Sequence, residues 1–351
     1  MEKHAAKILS IATAVPPHVV ETEFVRREAA KVFGRLGGSL FEHLLPIFGN
    51  SGIKRRYSVC PPEWFYEKQG WPERTAEYMR ASKDLFKKAA HDALAQAGVA
   101  ASEISTIVTV STTGIATPSL EAHVMGELGF RTDVKRVPVF GLGCAGGLSG
   151  LSLAARLAVA EPGQKVLLVV IELCTLAFKL NEFTKANIVA TAIFGDGAAA
   201  AVLEAGPGGL AAVEHAGEHT WPDSIDVMGW RVDPDGFGAI FSRDIPDLVT
   251  HELRPVADAF LTRHNLTLDD IDAFSFHPGG AKVITALEKA FHLDQGRLQD
   301  EREVLADYGN MSAATVMFVL ARALKEKWKG RRLLGSLGPG FTASMMTMQP
   351  A

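Results

Sequence analysis

Three residues, Cys144, His277 and Asn310, stand where a predicted strand ends and a predicted helix begins. In α/β proteins, ligands collect at such junctions because loops and helix N-termini converge there. A thiol at a helix N-terminus faces the positive end of the helix dipole, which lowers the thiol pKa and favours the nucleophilic thiolate. A histidine could pair with that thiolate as an imidazolium and later donate a hydrogen bond to a developing oxyanion. These residue types therefore predict nucleophilic catalysis with stabilisation of an oxyanion.

Each of the three residues also has an ordinary structural interpretation. Glycines on both sides of Cys144 allow a tight turn that leaves the sulfur accessible, whereas a free cysteine is otherwise usually buried and inert. His277 directly precedes Pro-Gly-Gly after an apolar strand, but a single histidine is more often structural than catalytic. Asn310 could equally cap the helix that follows it. On the residues alone these alternatives stay open.

Other chemistries fit the sequence less well. Gly195-Asp-Gly197 and Gly338-Pro-Gly340 are not followed by the Gly-Lys-Ser/Thr of a phosphate-binding P-loop. No histidine pair or carboxylate cluster has the spacing of a zinc or di-iron site, so we expect no metal. A net charge of -4, from 36 basic and 40 acidic residues, argues against a nucleic-acid partner.

The elements that would position these residues occur twice along the chain. A helix at 81–98 and a strand at 107–110 correspond to a later helix beginning at 256 and a strand at 273–276. Helices predicted at 150–160 and 316–327 follow Cys144 and Asn310. Each half then ends on a glycine-rich segment, Ile193-Phe-Gly-Asp-Gly or Leu337-Gly-Pro-Gly. Alternating strands and helices predict an α/β protein of two similar halves with largely parallel sheets.

The boundary between the halves is predicted in the Gly- and Pro-rich stretch 204–209. Residues 1–205 would carry the cysteine, and residues 206–351 the histidine and asparagine. A segment at about 20–77 has no counterpart in the second half; it could cover a site or form an entrance, or be a packed surface subdomain. No apolar run reaches the about 20 residues of a transmembrane segment, and no secretory signal is evident. Three cysteines, which cannot all pair, favour a cytoplasmic protein.

Five short motifs are spread over nearly the whole chain. They are Gly-Cys-Ala-Gly-Gly at 143–147, Phe-Gly-Asp-Gly-Ala-Ala-Ala from 194, Phe-His-Pro-Gly-Gly from 276, Tyr-Gly-Asn-Met-Ser-Ala-Ala from 308 and Gly-Pro-Gly from 338. Together they resemble the type III polyketide synthases, the chalcone synthase-like enzymes. Ketoacyl-ACP synthases of the third kind also use Cys, His and Asn, but they typically read His-Gln-Ala-Asn where this chain reads His-Pro-Gly-Gly.

The resemblance implies a duplicated thiolase-like fold with five layers, αβαβα, and an iterative homodimer without metal or redox cofactor. It implies that Cys144 takes an acyl group from a CoA thioester. His277 and Asn310 would bind the thioester oxygen of malonyl-CoA and stabilise the enolate formed on loss of carbon dioxide. That enolate would attack the acyl chain on Cys144, and the lengthened chain would be reloaded and finally cyclised.

The resemblance also implies a substrate cavity and a CoA entrance. Phe194 matches an aromatic gatekeeper, and Phe237 or Phe241 is a candidate for a second one. The positions that line the cavity in the family fall on Thr113, Thr117, Cys174, Ala177, Ala190, Ile193 and Ser312. Plant members place cations where this chain has His43, Pro46 and Asn50. The candidates for CoA binding are Lys54, Arg55, Arg56, Arg243, Gly279 and Gly280.

The stretches 70–75 and 226–238 are similar to bacterial members that extend long fatty acyl-CoA starters into alkylpyrones or alkylresorcinols. We therefore expect an acyl-CoA starter of medium or long chain, with malonyl-CoA as extender. Two other functions stay open: a ketoacyl-ACP synthase III-type enzyme that takes acyl-ACP, and a non-catalytic thiolase-fold binding subunit.

Overall fold

The computed structural model describes residues 5–34, 46–326 and 329–351. Within these ranges the strands are β1 Ala6–Ala14, β2 His18–Glu21, β3 Arg55–Ser58, β4 Ile104–Val110, β5 Lys135–Val139, β6 Lys165–Leu173, β7 Asp196–Ala205, β8 Ala211–Thr220, β9 Met228–Asp233, β10 Gly236–Phe241, β11 Ala273–Phe276, β12 Arg332–Gly338 and β13 Thr342–Pro350. The α-helices are α1 Thr22–Gly34, α2 Pro46–Asn50, α3 Trp71–Ala97, α4 Leu120–Leu128, α5 Gly146–Ala160, α6 Lys185–Ile193, α7 Ile245–Thr262, α8 Ala281–Ala290, α9 Gln299–Tyr308 and α10 Ala313–Ala323.

Nine strands form one mixed sheet in the order β11-β12-β13-β8-β1-β7-β6-β4-β5. Five of them come from the first half of the chain and four from the second, and the halves join where Ile8 of β1 pairs with Ala211 of β8. The α/β class is confirmed, but the expectation of largely parallel sheets is wrong. Strand β4 is parallel to β5 and β6, and β11 is parallel to β12, whereas β7 and β13 run antiparallel to their neighbours. One reason is the tight connection between β12 and β13, which permits only an antiparallel pair.

Helices α5 and α10 contact each other and lie between the two half-sheets. Both are apolar on nearly every side, which is typical of a helix buried in the core. Helices α3 and α4 pack in one outer apolar cluster with the first half-sheet, and α7 and α8 pack in another with the second. The expected five-layered αβαβα arrangement is therefore confirmed.

The helix boundaries differ from the sequence prediction at several ends. Helix α3 begins at Trp71, ten residues earlier than predicted, because Pro72 suits the first turn and the Glu73 carboxylate accepts the Gly70 N–H at 2.9 Å. Helix α3 therefore begins inside the segment at about 20–77. Helix α10 covers 313–323; the predicted end at 327 lies outside the described residues.

This segment does not lie apart from the rest of the fold. Its strand β3 contacts helix α9 of the second half and strand β7 of the first. The Lys54 N–H donates to Ala306 O at 2.8 Å, and the Val59 N–H donates to the Asp196 carboxylate at 2.9 Å. Strand β3 therefore lies in the seam between the halves.

By length and composition alone, one helical stretch among the described residues, Gly143–Ala160, could cross a membrane. Of its residues, 61% are buried inside the protein, as expected of a core helix.

Candidate active site

Cys144 lies in a single 3-10 turn, Gly143–Ala145, that leads from β5 into α5. The Gly143 N–H donates to the Thr112 hydroxyl at 3.1 Å. Gly143 has a φ of 46°, and a Cβ built on it would lie 2.5 Å from the Pro339 ring. Only glycine suits this position, because the turn is left-handed there and the 338–340 loop of the other half closes onto it.

The Cys144 thiol is buried, and its Sγ lies 3.5 Å from the Ser312 hydroxyl. Burial raises the pKa of the Cys144 thiol to about 12, although the hydrogen bond with Ser312 lowers it. The nearby buried carboxyl of Glu172 raises it further. The direction is opposite to the one expected from the helix N-terminus, because loss of hydration outweighs the helix dipole. The Cys144 thiol is therefore neutral near pH 7.

His277 follows β11, and its backbone N–H donates to Gly335 O at 2.8 Å. The side chain is 5% exposed, and neither ring nitrogen has a hydrogen-bond partner in the described part of the chain. Burial lowers the pKa of His277 to about 4. Burial of both side chains therefore works against the expected imidazolium–thiolate pair. A neutral imidazole still offers one N–H donor and one acceptor nitrogen.

Asn310 precedes helix α10 and is held by hydrogen bonds of both its backbone and its side chain. Its backbone N–H donates to Ile193 O at 2.8 Å, and its Oδ1 accepts the Ser312 N–H at 2.8 Å. Its Nδ2 donates to Gly279 O at 3.1 Å. An amide NH₂ has two donors, so one hydrogen stays available for a ligand. The helix-start role and the catalytic role are compatible, because they use different atoms.

The loop after β11 brings His277 and Asn310 together. A Cβ built on Gly279 would lie 3.8 Å from His277 Nε2, and the carbonyl of the same Gly279 accepts from Asn310. Ser312 links this pair to the Cys144 sulfur. A thiol from one half of the fold thus contacts the hydroxyl of Ser312 from the other half, and Ser312 is bonded to the amide of Asn310. This set can form an acyl-thioester and stabilise negative charge on a substrate oxygen.

Phe194 is the centre of an aromatic cluster that includes the hairpin β9–β10. Its ring centroid is 5.6 Å from that of Phe241 and 5.7 Å from that of Trp230. Phe237 lies one ring further away, 6.0 Å from Trp230 and 5.0 Å from Trp71. Of the two candidates for a second gatekeeper, Phe241 therefore contacts Phe194. Sequence reasoning missed Trp230, although its alternation with Val232 in a short strand was a usable signal.

Behind Phe194 lies an apolar cavity of about 120 Å³. Cys174, Ala190 and Phe194 line it. The side chains from the inserted segment and from the loop after Cys174 include Val20, Phe24, Val25, Phe65, Tyr66, Phe178 and Leu180. Ile193 packs in the same apolar cluster. The predicted pocket and the inserted segment therefore share one cavity.

Three other predicted cavity residues lie beside this cavity rather than on its wall. The Thr113 hydroxyl accepts the Leu173 N–H at 2.8 Å, next to Cys174. Ala177 is half-buried at the end of the 3-10 turn Cys174–Ala177. Ser312 contacts Cys144 instead. Thr117 is exposed on the surface and does not lie at the site.

The candidate CoA cations are placed differently from one another. Lys54 and Arg55 are exposed, and Arg55 lies 3.4 Å from Asp307. The Arg243 side chain is 83% exposed. The prediction for Arg56 is wrong: its side chain is buried and donates to backbone carbonyls, so it is not available to phosphates. His43 lies outside the described residues.

Three buried carboxyl groups near the site were not predicted. Asp196 accepts the Thr175 N–H at 2.8 Å and the Val59 N–H at 2.9 Å, and Glu301 accepts the Phe276 N–H at 2.8 Å. Burial raises the pKa of Glu172 to about 8 and the pKa values of Asp196 and Glu301 to about 7. Only Asp196 stands in a motif, so the other two gave no local signal. Within the described ranges, no group of three or more His, Cys, Asp or Glu side chains is arranged to hold a metal ion.

Known proteins are similar to this chain over nearly its whole length. The family model for the N-terminal domain of chalcone and stilbene synthases matches residues 1–207, and the model for their C-terminal domain matches residues 212–350. A putative chalcone synthase of Bacillus subtilis (strain 168) is 37% identical over 357 residues, covering 97% of this chain and 98% of that protein. A 1,3,6,8-tetrahydroxynaphthalene synthase of Streptomyces peucetius subsp. caesius is 33% identical, covering 97% and 92%.

Solved structures agree. The crystal structure of 1,3,6,8-tetrahydroxynaphthalene synthase from Streptomyces coelicolor A3(2), a bacterial type III polyketide synthase, superposes with a TM-score of 0.93 at 28% identity, covering 98% of this chain and 99% of that one. A synthase from the brown alga Ectocarpus siliculosus gives a TM-score of 0.92 at 26% identity, with full coverage of both chains. This decides against the ketoacyl-ACP synthase and non-catalytic alternatives. The chain belongs to the chalcone and stilbene synthase family and is an iterative type III polyketide synthase, an acyltransferase that uses acyl-CoA and malonyl-CoA.

Proposed function

We propose that Cys144, His277 and Asn310 carry out the condensation. The observation that supports this best is the buried His277 imidazole with two unpartnered nitrogens, held beside an Asn310 amide that keeps one free N–H. Unpartnered buried polar atoms are rare in folded proteins and usually await a ligand or water. Two donors aimed at one place suit an oxygen that becomes negative during the reaction.

The proposed reaction has two steps at this site. First, the Cys144 sulfur attacks the carbonyl carbon of the starter thioester; CoA leaves as thiol, and His277 relays the proton that Cys144 loses. Malonyl-CoA then loses carbon dioxide, and the electron pair of the broken C–C bond forms an enolate. The enolate oxygen accepts hydrogen bonds from His277 and Asn310, and its carbon attacks the acyl-Cys144 carbonyl. The C–S bond to Cys144 breaks, the sulfur leaves as a thiolate, and the lengthened chain stays attached to CoA. A neutral His277 suits this role, because a donor that needs no counter-charge costs less to bury.

We further propose that the starter is a medium- or long-chain fatty acyl-CoA and that the product is an alkylpyrone or alkylresorcinol. The support is the cavity behind Phe194, whose walls are almost entirely apolar. An alkyl chain buried there would contribute roughly 0.8 kcal/mol per methylene removed from water. Lys54, Arg55 and Arg243 are the proposed cations at the CoA entrance, because their side chains are exposed, and Gly279 and Gly280 would line it beside His277.

The test is mass spectrometry of the protein and its products with malonyl-CoA and acetyl-, hexanoyl-, lauroyl-, palmitoyl- or coumaroyl-CoA. Acyl adducts on Cys144 with the long starters, and pyrones or resorcinols as products, are expected. Cys144→Ala should lose the adduct completely while the protein stays folded. Turnover of short or aromatic starters alone, or a tetrahydroxynaphthalene product as two relatives' names suggest, would rule out the fatty-acyl assignment and leave the mechanism intact.

We also propose a homodimer. Strand β5 is the edge of the nine-stranded sheet, and Ile115 and Phe140, 57% and 55% exposed, are large apolar side chains in neighbouring loops. Unpaired edges and exposed apolar groups favour association with another chain. Light scattering after gel filtration should give twice the mass of one chain, and a monomer at micromolar concentration would refute the proposal.

Two smaller assignments remain proposals. A boundary between the halves near residue 206 is supported by the two family models: the N-terminal model ends at residue 207, and the C-terminal model begins at residue 212. A cytoplasmic location is supported by three cysteines that are all free and buried. Limited proteolysis tests the boundary, and cleavage that avoids 204–211 would contradict it. Cell fractionation tests the location, and export of the protein would contradict it.

A further inference from the structure

Arg56 is a buried cation whose role differs from the one its sequence neighbours suggest. Its side chain is 3% exposed, and no carboxylate lies within ion-pair distance of its guanidinium in the described part of the chain. Burial lowers its pKa to about 10, so it stays protonated at neutral pH. A buried charge is costly unless hydrogen bonds replace its water. The hydrogen-bond partners of the Arg56 guanidinium therefore indicate which part of the fold it stabilises.

All three of those partners are backbone carbonyls at the C-terminal end of helix α6. Nη1 of Arg56 donates to Thr191 O at 2.7 Å and to Phe194 O at 3.1 Å, and Nη2 donates to Ala192 O at 2.7 Å. The last carbonyls of a helix have no partner within the helix and carry the negative end of its dipole. A guanidinium satisfies both needs, because it is cationic and presents several donors in one plane.

The same helix end also holds Asn310. The Ile193 carbonyl, which lies between those bound by Arg56, accepts the Asn310 N–H at 2.8 Å. Phe194 and Asn310 then pair as a short parallel bridge, in which the Gly195 N–H donates to Asn310 O at 3.0 Å. Arg56 therefore organises the peptide segment to which Asn310 is attached.

The stem of Arg56 contacts both sides of this junction. A Cβ built on Gly195 would lie 3.2 Å from the Arg56 Cβ, and one built on Gly309 would lie 3.4 Å from it. Gly195 follows Phe194, and Gly309 precedes Asn310. The aliphatic part of Arg56 thus packs where the Gly195 and Gly309 motifs of the two halves meet. Its guanidinium caps the C-terminal end of helix α6, which leads to Phe194.

We propose that Arg56 is a positioning residue that sets the places of Phe194 and Asn310 together. This inference rests on the proposed function, since it takes Asn310 as a donor to the enolate oxygen. Lysine cannot replace Arg56, because a single ammonium on a flexible stem cannot bind three carbonyls in a plane. Loss of the planar contacts should displace Asn310 without displacing Cys144, which is held by a different loop.

The test compares two half-reactions in Arg56→Lys: release of carbon dioxide from malonyl-CoA and acyl loading of Cys144. We expect decarboxylation to fall roughly tenfold relative to loading, since small displacements of a catalytic group have effects of this order. Arg74→Lys is the matched control. Arg74 is also buried and donates to the carbonyls of Leu176 and Asp235, but it does not contact the end of α6. It should lose stability in urea without a change in that ratio.

An equal fall of both half-reactions in Arg56→Lys, or no fall, would overturn the inference, because a purely structural role lowers only the active fraction. If Arg56→Lys does not fold, Arg56→Gln provides the same test; it removes the buried charge and keeps an amide donor. Wild-type protein that neither loads Cys144 nor decarboxylates malonyl-CoA would instead refute the proposed function.

Discussion

Replacing Gly147 with alanine should separate the two core helices and impair the site that they carry. Gly147 lies in the first turn of α5, three residues after Cys144. A Cβ added there would lie 2.3 Å from the backbone oxygen of Ala313 and 2.7 Å from Cγ1 of Val316. Ordinary carbon–oxygen contacts are about 3.3 Å or longer, so the helices must move apart by about 1 Å. A backbone oxygen, unlike a side-chain tip, cannot rotate out of the way.

Overpacking of this kind typically destabilises a protein by about 1–3 kcal/mol. The better helix propensity of alanine offsets about 1 kcal/mol at most. Ala313 directly follows Ser312, which contacts both Cys144 and Asn310. A displacement of about 1 Å there can reduce the rate of reaction by up to about 100-fold. The variant should therefore lose both stability and decarboxylation activity.

The assay is urea unfolding at one fixed protein concentration, together with carbon dioxide release from malonyl-CoA. Gly126→Ala is the control, because Gly126 is also in a helix but has no heavy atom within 4 Å of the added Cβ. It should keep full activity and gain up to about 1 kcal/mol. Adding Val316→Ala to Gly147→Ala should restore little, because the backbone contact remains. A Gly147→Ala protein as stable and active as wild type would refute the close approach of the helices.

Two further predictions follow from the buried groups around the site. Ser312→Ala should slow alkylation of Cys144 by iodoacetamide at pH 8, because the Ser312 hydrogen bond lowers the pKa of the thiol; an equal or faster rate would contradict this. Glu301 has a folded-state pKa of about 7, above the value of 4.5 for the free group, so its contribution to stability is complete below pH 4.5 and is lost as the pH rises through 7. Glu301→Gln, whose amide oxygen can still accept the Phe276 N–H, should flatten this decline in urea titrations between pH 5 and 7.5; the same slope in both proteins would show that Glu301 is not its source.

Local sequence patterns predicted the local structure around Cys144 and His277 well. Cys144 lies between a strand and a helix and is surrounded by glycines, and that pattern is sufficient to predict an accessible turn between them. The correspondence of the strands at 107–110 and 273–276 placed His277 directly after the end of the equivalent strand in the second half. Such predictions succeed because strand, turn and helix starts depend on neighbouring residues.

Predictions that depended on tertiary contacts were less successful. Lys54, Arg55 and Arg56 are consecutive cations, and nothing local distinguishes the third. In strand β3, alternate residues point inward, and this places Arg56 against the end of α6. The expected protonation of Cys144 and His277 also differs from that in the structure, because burial raises the pKa of the thiol and lowers the pKa of the imidazole, and burial depends on tertiary contacts.

Several glycines of the family motifs lie where the backbones of the two halves approach each other closely. A Cβ on Gly195 would lie 2.5 Å from Tyr308 O, and one on Gly338 would lie 2.6 Å from Leu142 O. Each clash would be with backbone of the opposite half, as at Gly147. A site assembled from two halves needs their backbones within direct contact distance, since Cys144 comes from one half and His277 and Asn310 come from the other. Glycine at these positions is therefore a requirement of the proposed catalytic geometry, and substitution there should reduce catalysis even where each half still folds.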